Sequence, residues 1–291
     1  MVGEEITLSV MGMTLRALTF GTEGAVPTLA MHGWLDNAAS FTRIAPLLPG
    51  LRVVALDMPG HGLSDHRHPS AGYHFFDMVG DVAHVADALG WDRFALLGHS
   101  MGAGVSSLVA GTFPERILAT MLIEGLGPWV EEEASTPERL REAIEEERKR
   151  LFKGDRRRVF PTMEDAAERA AYAQQITIDA ARILCARGVE EVAGGNAWRA
   201  DPRLRLPSRL RLTENQVRAF LSRITSPTIL VQAATGWPFA ADVMKLRMEC
   251  VQGIRHVVLP GGHHLHLDDP EPTASAIGAF LFEAGILPSA S

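Results

Sequence analysis

The chain has 291 residues, 46% of them hydrophobic and 22% charged, which suits a globular protein with a full core: one large domain with room for an insertion. Its formal net charge of -7 argues against a nucleic acid or an acidic membrane surface as the main partner. No apolar run approaches the ~18 residues of a membrane span, Glu4 and Glu5 stand where a secretory leader carries basic residues, and Cys185 and Cys250 are too few and too far apart for a disulfide framework, so a cytoplasmic chain with reduced thiols is expected.

Strand-like and helix-like segments alternate along the chain. Ile6–Val10 and Thr14–Phe20 read as a hairpin turning at Met11-Gly12. Thr28–Met31 reads as a short buried strand ending at His32-Gly33, and Ala39–Leu48 as a helix. Arg52–Leu56 is an apolar strand ending at Asp57, and Phe75–Leu89 has helical apolar spacing that Gly90 stops. Phe94–Leu97 and Ile117–Ile123 are strands on either side of a helical stretch. Thr228–Val231 and His256–Leu259 are the last two, each followed by a helix, Ala240–Cys250 and Thr273–Ala284. Continuous apolar strands separated by helices predict an α/β fold whose mostly parallel, eight-stranded sheet is covered on both faces.

Residues 128–226 break this rhythm. They carry no convincing strand, are rich in Glu, Arg and Ala, and show helical periodicity at Leu140, Ile144 and Leu151. The stretch is too long for a loop. It is read as a helical cap inserted between the two parts of a core domain, residues 1–127 and 227–291. The Arg156-Arg157-Arg158 run within it reads as a solvated face.

The stretch most informative about chemistry is Gly98-His99-Ser100-Met101-Gly102, between a strand and a helix. A Gly-x-Ser-x-Gly turn in that setting exposes a serine hydroxyl above a parallel sheet, and glycine neighbours let strand and helix approach. A serine hydroxyl needs a base, a group to orient the base, and donors where charge develops on the substrate oxygen. The base candidate is His263, which follows Gly261-Gly262 in the loop after the last strand. His264 and His266 are read as loop-packing residues. A metal set of His263, His264 and His266 is not favoured, since no carboxylate at helical spacing accompanies them.

The acid is less direct. The loop after Val231 reads Gln232-Ala233-Ala234-Thr235-Gly236-Trp237-Pro238-Phe239 and holds no carboxylate. Glu124 ends the apolar strand Ile117–Ile123, where burial demands a partner, and the order Ser100, Glu124, His263 fits a serine, acid, histidine sequence. Asp242 is the alternative acid, and a purely structural Glu124 that caps a loop or meets a cap arginine remains open. Oxyanion donors are expected from the backbone N–H of Met101, which opens a helix, and of Trp34 in the loop His32–Asp36. Trp34, Trp129 and Trp237 are candidates for the pocket wall, with Phe152, Phe160 and Trp198 further lid residues. His32, Asp57 and His61 are read as structural.

His32-Gly33-Trp34, Asp57-x-Pro59-Gly60-His61-Gly62-x-Ser64, Gly98–Gly102 and Gly262-His263 resemble, in order and spacing, the motifs of the α/β-hydrolase fold family. Met31–Phe41, with an acid after Ile123 and none after Val231, is similar to the serine hydrolase-like protein branch. The resemblance implies a Ser-acid-His hydrolase with a helical lid, a small-molecule acyl substrate and no cofactor. Serine at position 100 separates the chain from relatives with an aspartate nucleophile. Cleavage of an ester-type bond through an acyl-enzyme is the leading expectation. Carbon–carbon bond hydrolysis or perhydrolysis on the same triad is the second, and a ligand-binding pseudo-hydrolase, motivated by the missing acid in the usual loop, is the third.

Overall fold

The computed structural model describes residues 3–154 and 157–287. The first six strands are β1 (Glu4–Val10), β2 (Met13–Phe20), β3 (Val26–Met31), β4 (Leu51–Leu56), β5 (Phe94–His99) and β6 (Ile117–Ile123). Helix α1 (Phe75–Ala88) precedes β5 and α2 (Met101–Thr112) follows it. Residues 128–226 hold α3 (Thr136–Lys153), β7 (Val159–Phe160), α4 (Met163–Gln174), α5 (Ile178–Gly188), β8 (Val189–Val192), β9 (Gly195–Trp198) and α6 (Glu214–Leu221). The chain ends with β10 (Thr228–Ala233), α7 (Ala241–Glu249), β11 (Arg255–Leu259), the one-turn α8 (Leu265–Asp268) and α9 (Pro270–Glu283).

The main sheet has eight strands in the order β1-β2-β4-β3-β5-β6-β10-β11. The β1–β2 and β2–β4 pairs are antiparallel and the remaining five are parallel. Successive strand residues point to opposite faces, so one strand feeds two cores. Leu29, Met31 and Leu96 join Val82 of α1 and Val105 and Leu108 of α2 on one face. Ala30, Ala95 and Leu97 join Phe41 and Ile277 of α9 on the other. This double burial is why the strands read as continuous apolar runs.

Two local expectations fail. Ala39–Leu48 is not one helix but two 3₁₀ turns, Ala38–Phe41 and Ala45–Leu47. Pro46 sits in the first turn of the second and has no N–H to continue a helix through it. The insertion also contains strands: β7, β9 and β8 form a small antiparallel sheet. Its β8–β9 hairpin turns through Gly194 and Gly195, both at positive φ. Four-residue strands bounded by glycine leave little periodicity to read. Within the Arg156–Arg158 run, Arg156 lies outside the described residues. Arg157 pairs with Glu190 at 2.5 Å, and Arg158 is exposed with its guanidinium over Phe160.

The insertion has its own apolar cluster, from Phe160, Ala166, Ala170, Leu184 and Cys185, which Leu267 of α8 enters from the core. Polar ties reinforce that contact. Asn37 Nδ2 donates to the Leu184 carbonyl at 3.0 Å. Arg187 of α5 reaches across to Asp57 after β4, its Nε lying 2.8 Å from Oδ2, and to Glu5 of β1 at 2.7 Å. Asp57 is fully buried, and its carboxylate also accepts the Ala38 and Leu63 backbone N–H groups. Removing one member of a buried pair leaves the other charge uncompensated. Arg187→Met is therefore expected to lower unfolding stability by about 3–5 kcal/mol, measured by urea denaturation. An unchanged midpoint would reduce the bridge to a passive contact.

Candidate active site

The turn between β5 and α2 holds Ser100 at φ 53 and ψ -113, a strained backbone for a residue with a side chain. Its neighbours make the turn possible. A Cβ on Gly98 would lie 2.5 Å from the Gly102 carbonyl oxygen, and one on Gly102 would lie 2.0 Å from that of Met31. Both glycines are demanded by close backbone approach. The strand-to-helix turn thrusts the Ser100 side chain above the carboxyl ends of the strands.

His263 follows Gly261, at φ 120, in the loop after β11. The Ser100 hydroxyl donates to its Nε2 at 2.9 Å. Its Nδ1–H donates to Glu124 Oε2, also at 2.9 Å. Glu124 is 1% exposed and directly follows β6, with φ 56. The left-handed backbone turns its carboxylate sideways, over β10. There Oε1 accepts the Ala233 N–H at 2.7 Å and Oε2 accepts the Trp237 N–H at 2.9 Å. The last residue of β10 and the loop after it thus each supply a backbone donor to a carboxylate that follows β6, the neighbouring strand in the sheet. A misaligned acid would have favoured a ligand-binding reading, but all three side chains stand within hydrogen-bond reach. Asp242 is exposed in the first turn of α7, and His263 Nδ1 is already taken by Glu124.

Gly236 lies so near that carboxylate that a Cβ there would stand 2.1 Å from Glu124 Oε2. Gly236→Ala is expected to push the carboxylate off His263. A displacement of about 1 Å at such a contact costs roughly 100-fold in rate, so kcat should fall by about that factor with KM little changed. Steady-state kinetics on an aryl ester would reveal a tolerant site if kcat stayed at the wild-type value.

Met101 is the first residue of α2, so its N–H has no acceptor within its own helix. Trp34 follows Gly33 in a turn closed by the Asp36 N–H donating to the Gly33 carbonyl at 3.1 Å, with Leu35 at φ 65. The Trp34 indole is half exposed and donates from Nε1 to the Leu204 carbonyl of the insertion at 3.1 Å. A cavity of about 1860 Å³ opens over Ser100 and His263, between the insertion and the core. Trp34, Trp129 and Trp237 all line it, as do Phe160 and Trp198. Trp237 lies 5.7 Å from the His263 ring and 5.4 Å from Trp129, centroid to centroid. Phe152 is 86% exposed and takes no part in the lining.

Sequence reasoning passed over what stands behind these three side chains. His99, from the elbow motif itself, is fully buried, and its Nε2–H donates to the His263 carbonyl at 2.9 Å. Burial and the neighbouring His266, His264 and His263 hold its pKa well below the usual histidine range, so it is neutral. His264 Nε2–H donates to Asp36 Oδ2 at 3.1 Å. Burial opposes a charge on each of these two, but the mutual attraction and hydrogen bond prevail, raising His264 and lowering Asp36. His266 packs at 4.1 Å from the His99 ring, and its Nε2 pairs with the Ser40 hydroxyl at 2.8 Å. Burial and the nearby His264 push its pKa down to about 3. His32 buttresses the next loop: Nδ1–H donates to the Gly33 carbonyl at 2.7 Å and Nε2 accepts the Met58 N–H at 3.1 Å. The signal for this layer was the crowd of histidines around the motifs, but sequence does not say which rings meet.

Known proteins carry the same architecture. A solved hypothetical protein from Pseudomonas aeruginosa PAO1 is 44% identical, superposes with a TM-score of 0.89, and covers 97% of this chain and 99% of its own. The thioesterase domain from the curacin biosynthetic pathway is similar at 26% identity and a TM-score of 0.83, over 95% of this chain and 99% of that one. A "Serine hydrolase-like protein" of Danio rerio is 33% identical over 92% of this chain and 85% of its own length. Among the described residues no helix is long and apolar enough to cross a membrane. A family model for the alpha/beta hydrolase fold matches residues 29–270, and with the sheet order and the strand–elbow–helix turn this places the chain in the α/β-hydrolase fold family.

Proposed function

We propose that the protein is a serine hydrolase that cleaves an acyl bond, ester or thioester, of a small molecule. The observation that carries this reading is the unbroken hydrogen-bond relay from Ser100 through His263 to Glu124 at the floor of a cavity. Ser100 Oγ attacks the acyl carbon while His263 Nε2 takes its proton and passes it to the leaving alcohol or thiol. Glu124 holds the ring with Nδ1 protonated and stabilises the imidazolium that forms. The Trp34 and Met101 N–H groups receive the oxyanion. Water, deprotonated by His263, then releases the acid from the acyl-enzyme and restores Ser100. Residues 128–226 act as the lid, with Trp34, Trp129 and Trp237 as the pocket wall.

Similarity to a thioesterase domain and to serine hydrolase-like proteins supports acyl transfer as the reaction class. The test is labelling of the purified chain with a fluorophosphonate, peptide mapping of the adduct, and turnover across a panel of ester and thioester substrates. Adduct at Ser100 together with ester or thioester hydrolysis is the expected result. Absence of both sinks the proposal, and turnover confined to diketones or peracid formation redirects it to another serine-triad reaction.

A further inference from the structure

We propose that Asp36, His99 and His264 form a buried binding site for one divalent transition-metal ion of the zinc class, behind Ser100 and His263 and bordering the same cavity. The three ligand atoms come from separate parts of the chain: the turn after β3, the end of β5 and the residue before α8. Asp36 Oδ2 lies 3.1 Å from His264 Nε2 and 3.7 Å from His99 Nδ1, and all three atoms fall within 4.8 Å of one another. Ligands about 2.0–2.2 Å from a tetrahedral zinc stand roughly 3.4 Å apart, so small side-chain rotations close the set. This is not the His263, His264, His266 set weighed from sequence, of which only His264 is shared.

The independent sign of a cation site is on His99. Its Nε2 faces a carbonyl and therefore carries the proton, which leaves Nδ1 with a lone pair. That atom is buried and has no hydrogen-bond partner among the described residues, while the side chain as a whole has no exposed surface. It points towards a carboxylate oxygen, electron-rich atom against electron-rich atom. Gly33 keeps the approach clear: a Cβ there would lie 3.0 Å from both Asp36 Oδ2 and His99 Nδ1.

The donors suit the ion. Two imidazoles and one carboxylate match borderline-soft metals, whereas calcium and magnesium favour oxygen cages. An outer layer fixes the ligands, as metal sites require. The His263 carbonyl orients His99, and Gln174 Nε2 donates to Asp36 Oδ1 at 3.3 Å, leaving Oδ2 for the ion. The metal replaces the proton that His264 shares with Asp36, which goes to solvent. All three residues border the cavity but are buried, so the ion would enter through a small opening movement of the side chains that cover them.

The test uses the full metal-stripped chain and Zn²⁺ in equilibrium dialysis, with Co²⁺ as a spectroscopic substitute. One ion per chain is expected, retained in Ser100→Ala and His263→Ala and weakened at least 100-fold in His264→Gln. Loss of binding in His263→Ala with retention in His264→Gln would put the ion on the triad and overturn the proposal, as would no stoichiometric binding at micromolar Zn²⁺. A second measurement needs no variant. X-ray absorption of the zinc-loaded wild type should show two imidazoles and a carboxylate, whereas the triad offers a single imidazole. The outcome does not depend on whether the protein hydrolyses anything.

Discussion

Ser100→Ala is expected to lower kcat on a short-chain aryl ester by about 10⁴-fold or more, while the unfolding midpoint stays within a few degrees of wild type. The magnitude follows from removing a member of a unit whose parts act together. Without the nucleophile, only the backbone donors and binding remain to assist water, and their residual acceleration is small beside the triad's. The stability side is less usual. Ser100 sits at φ 53, so its backbone is strained whatever side chain it bears, and alanine neither relieves nor worsens that strain. Its hydroxyl is bonded to His263, which keeps its own bond to Glu124. A variant that bound substrate, stayed folded and lost turnover would assign the nucleophile. One that kept a tenth of wild-type rate would remove Ser100 from the chemistry.

Glu124→Gln should cost about 10⁴-fold in kcat as well, for a different reason. The carboxylate keeps the proton on His263 Nδ1, so Nε2 is free to accept from Ser100. A glutamine amide can turn an N–H towards the ring and select the opposite tautomer. Its second problem is the loop. Glu124 accepts from Ala233 and Trp237 through different oxygens, and an amide has only one oxygen. Whichever way it turns, an N–H faces a backbone N–H. That leaves a buried donor unpaired, at about 1–3 kcal/mol. The variant should lose both rate and stability, whereas Ser100→Ala loses rate alone. Measuring kcat and the denaturation midpoint together separates the two. A rate within tenfold of wild type would move the acid elsewhere.

Much of this arrangement was legible in the sequence because backbone sterics and burial write it there. The elbow glycines are forced by contacts of 2.0 and 2.5 Å, and the central strands β3, β4, β5, β6 and β10 by burial on two faces. Glu124 was conspicuous because a carboxylate at the end of an apolar strand needs a reason to be buried. What escaped notice follows other rules. The two 3₁₀ turns at 38–47 depend on one proline against an otherwise helical pattern. The small sheet of the insertion consists of strands of two to four residues, below the length at which alternation is visible. The meeting of His99, His264 and Asp36 is tertiary: three residues spread over more than 200 positions, each unremarkable beside its neighbours.

The loop after β10 meets the Glu124 carboxylate with main chain alone: the Trp237 N–H and, at Gly236, the absence of a Cβ, while the second N–H comes from Ala233, the last residue of β10. Within Thr235–Phe239, the Thr235 hydroxyl donates to the Gly261 carbonyl at 2.8 Å and so braces the loop that carries His263, whereas Trp237, Pro238 and Phe239 line the cavity. Such a loop is a natural site of divergence. Those three residues can be exchanged to admit a longer, bulkier or more polar acyl group without touching the side chains proposed to break the bond. Had the carboxylate been carried by this loop, each exchange would have risked its alignment. With the proposed acid on the neighbouring strand, reaction and substrate choice fall to different residues, and a library confined to Trp237, Pro238 and Phe239 would explore the second without endangering the first.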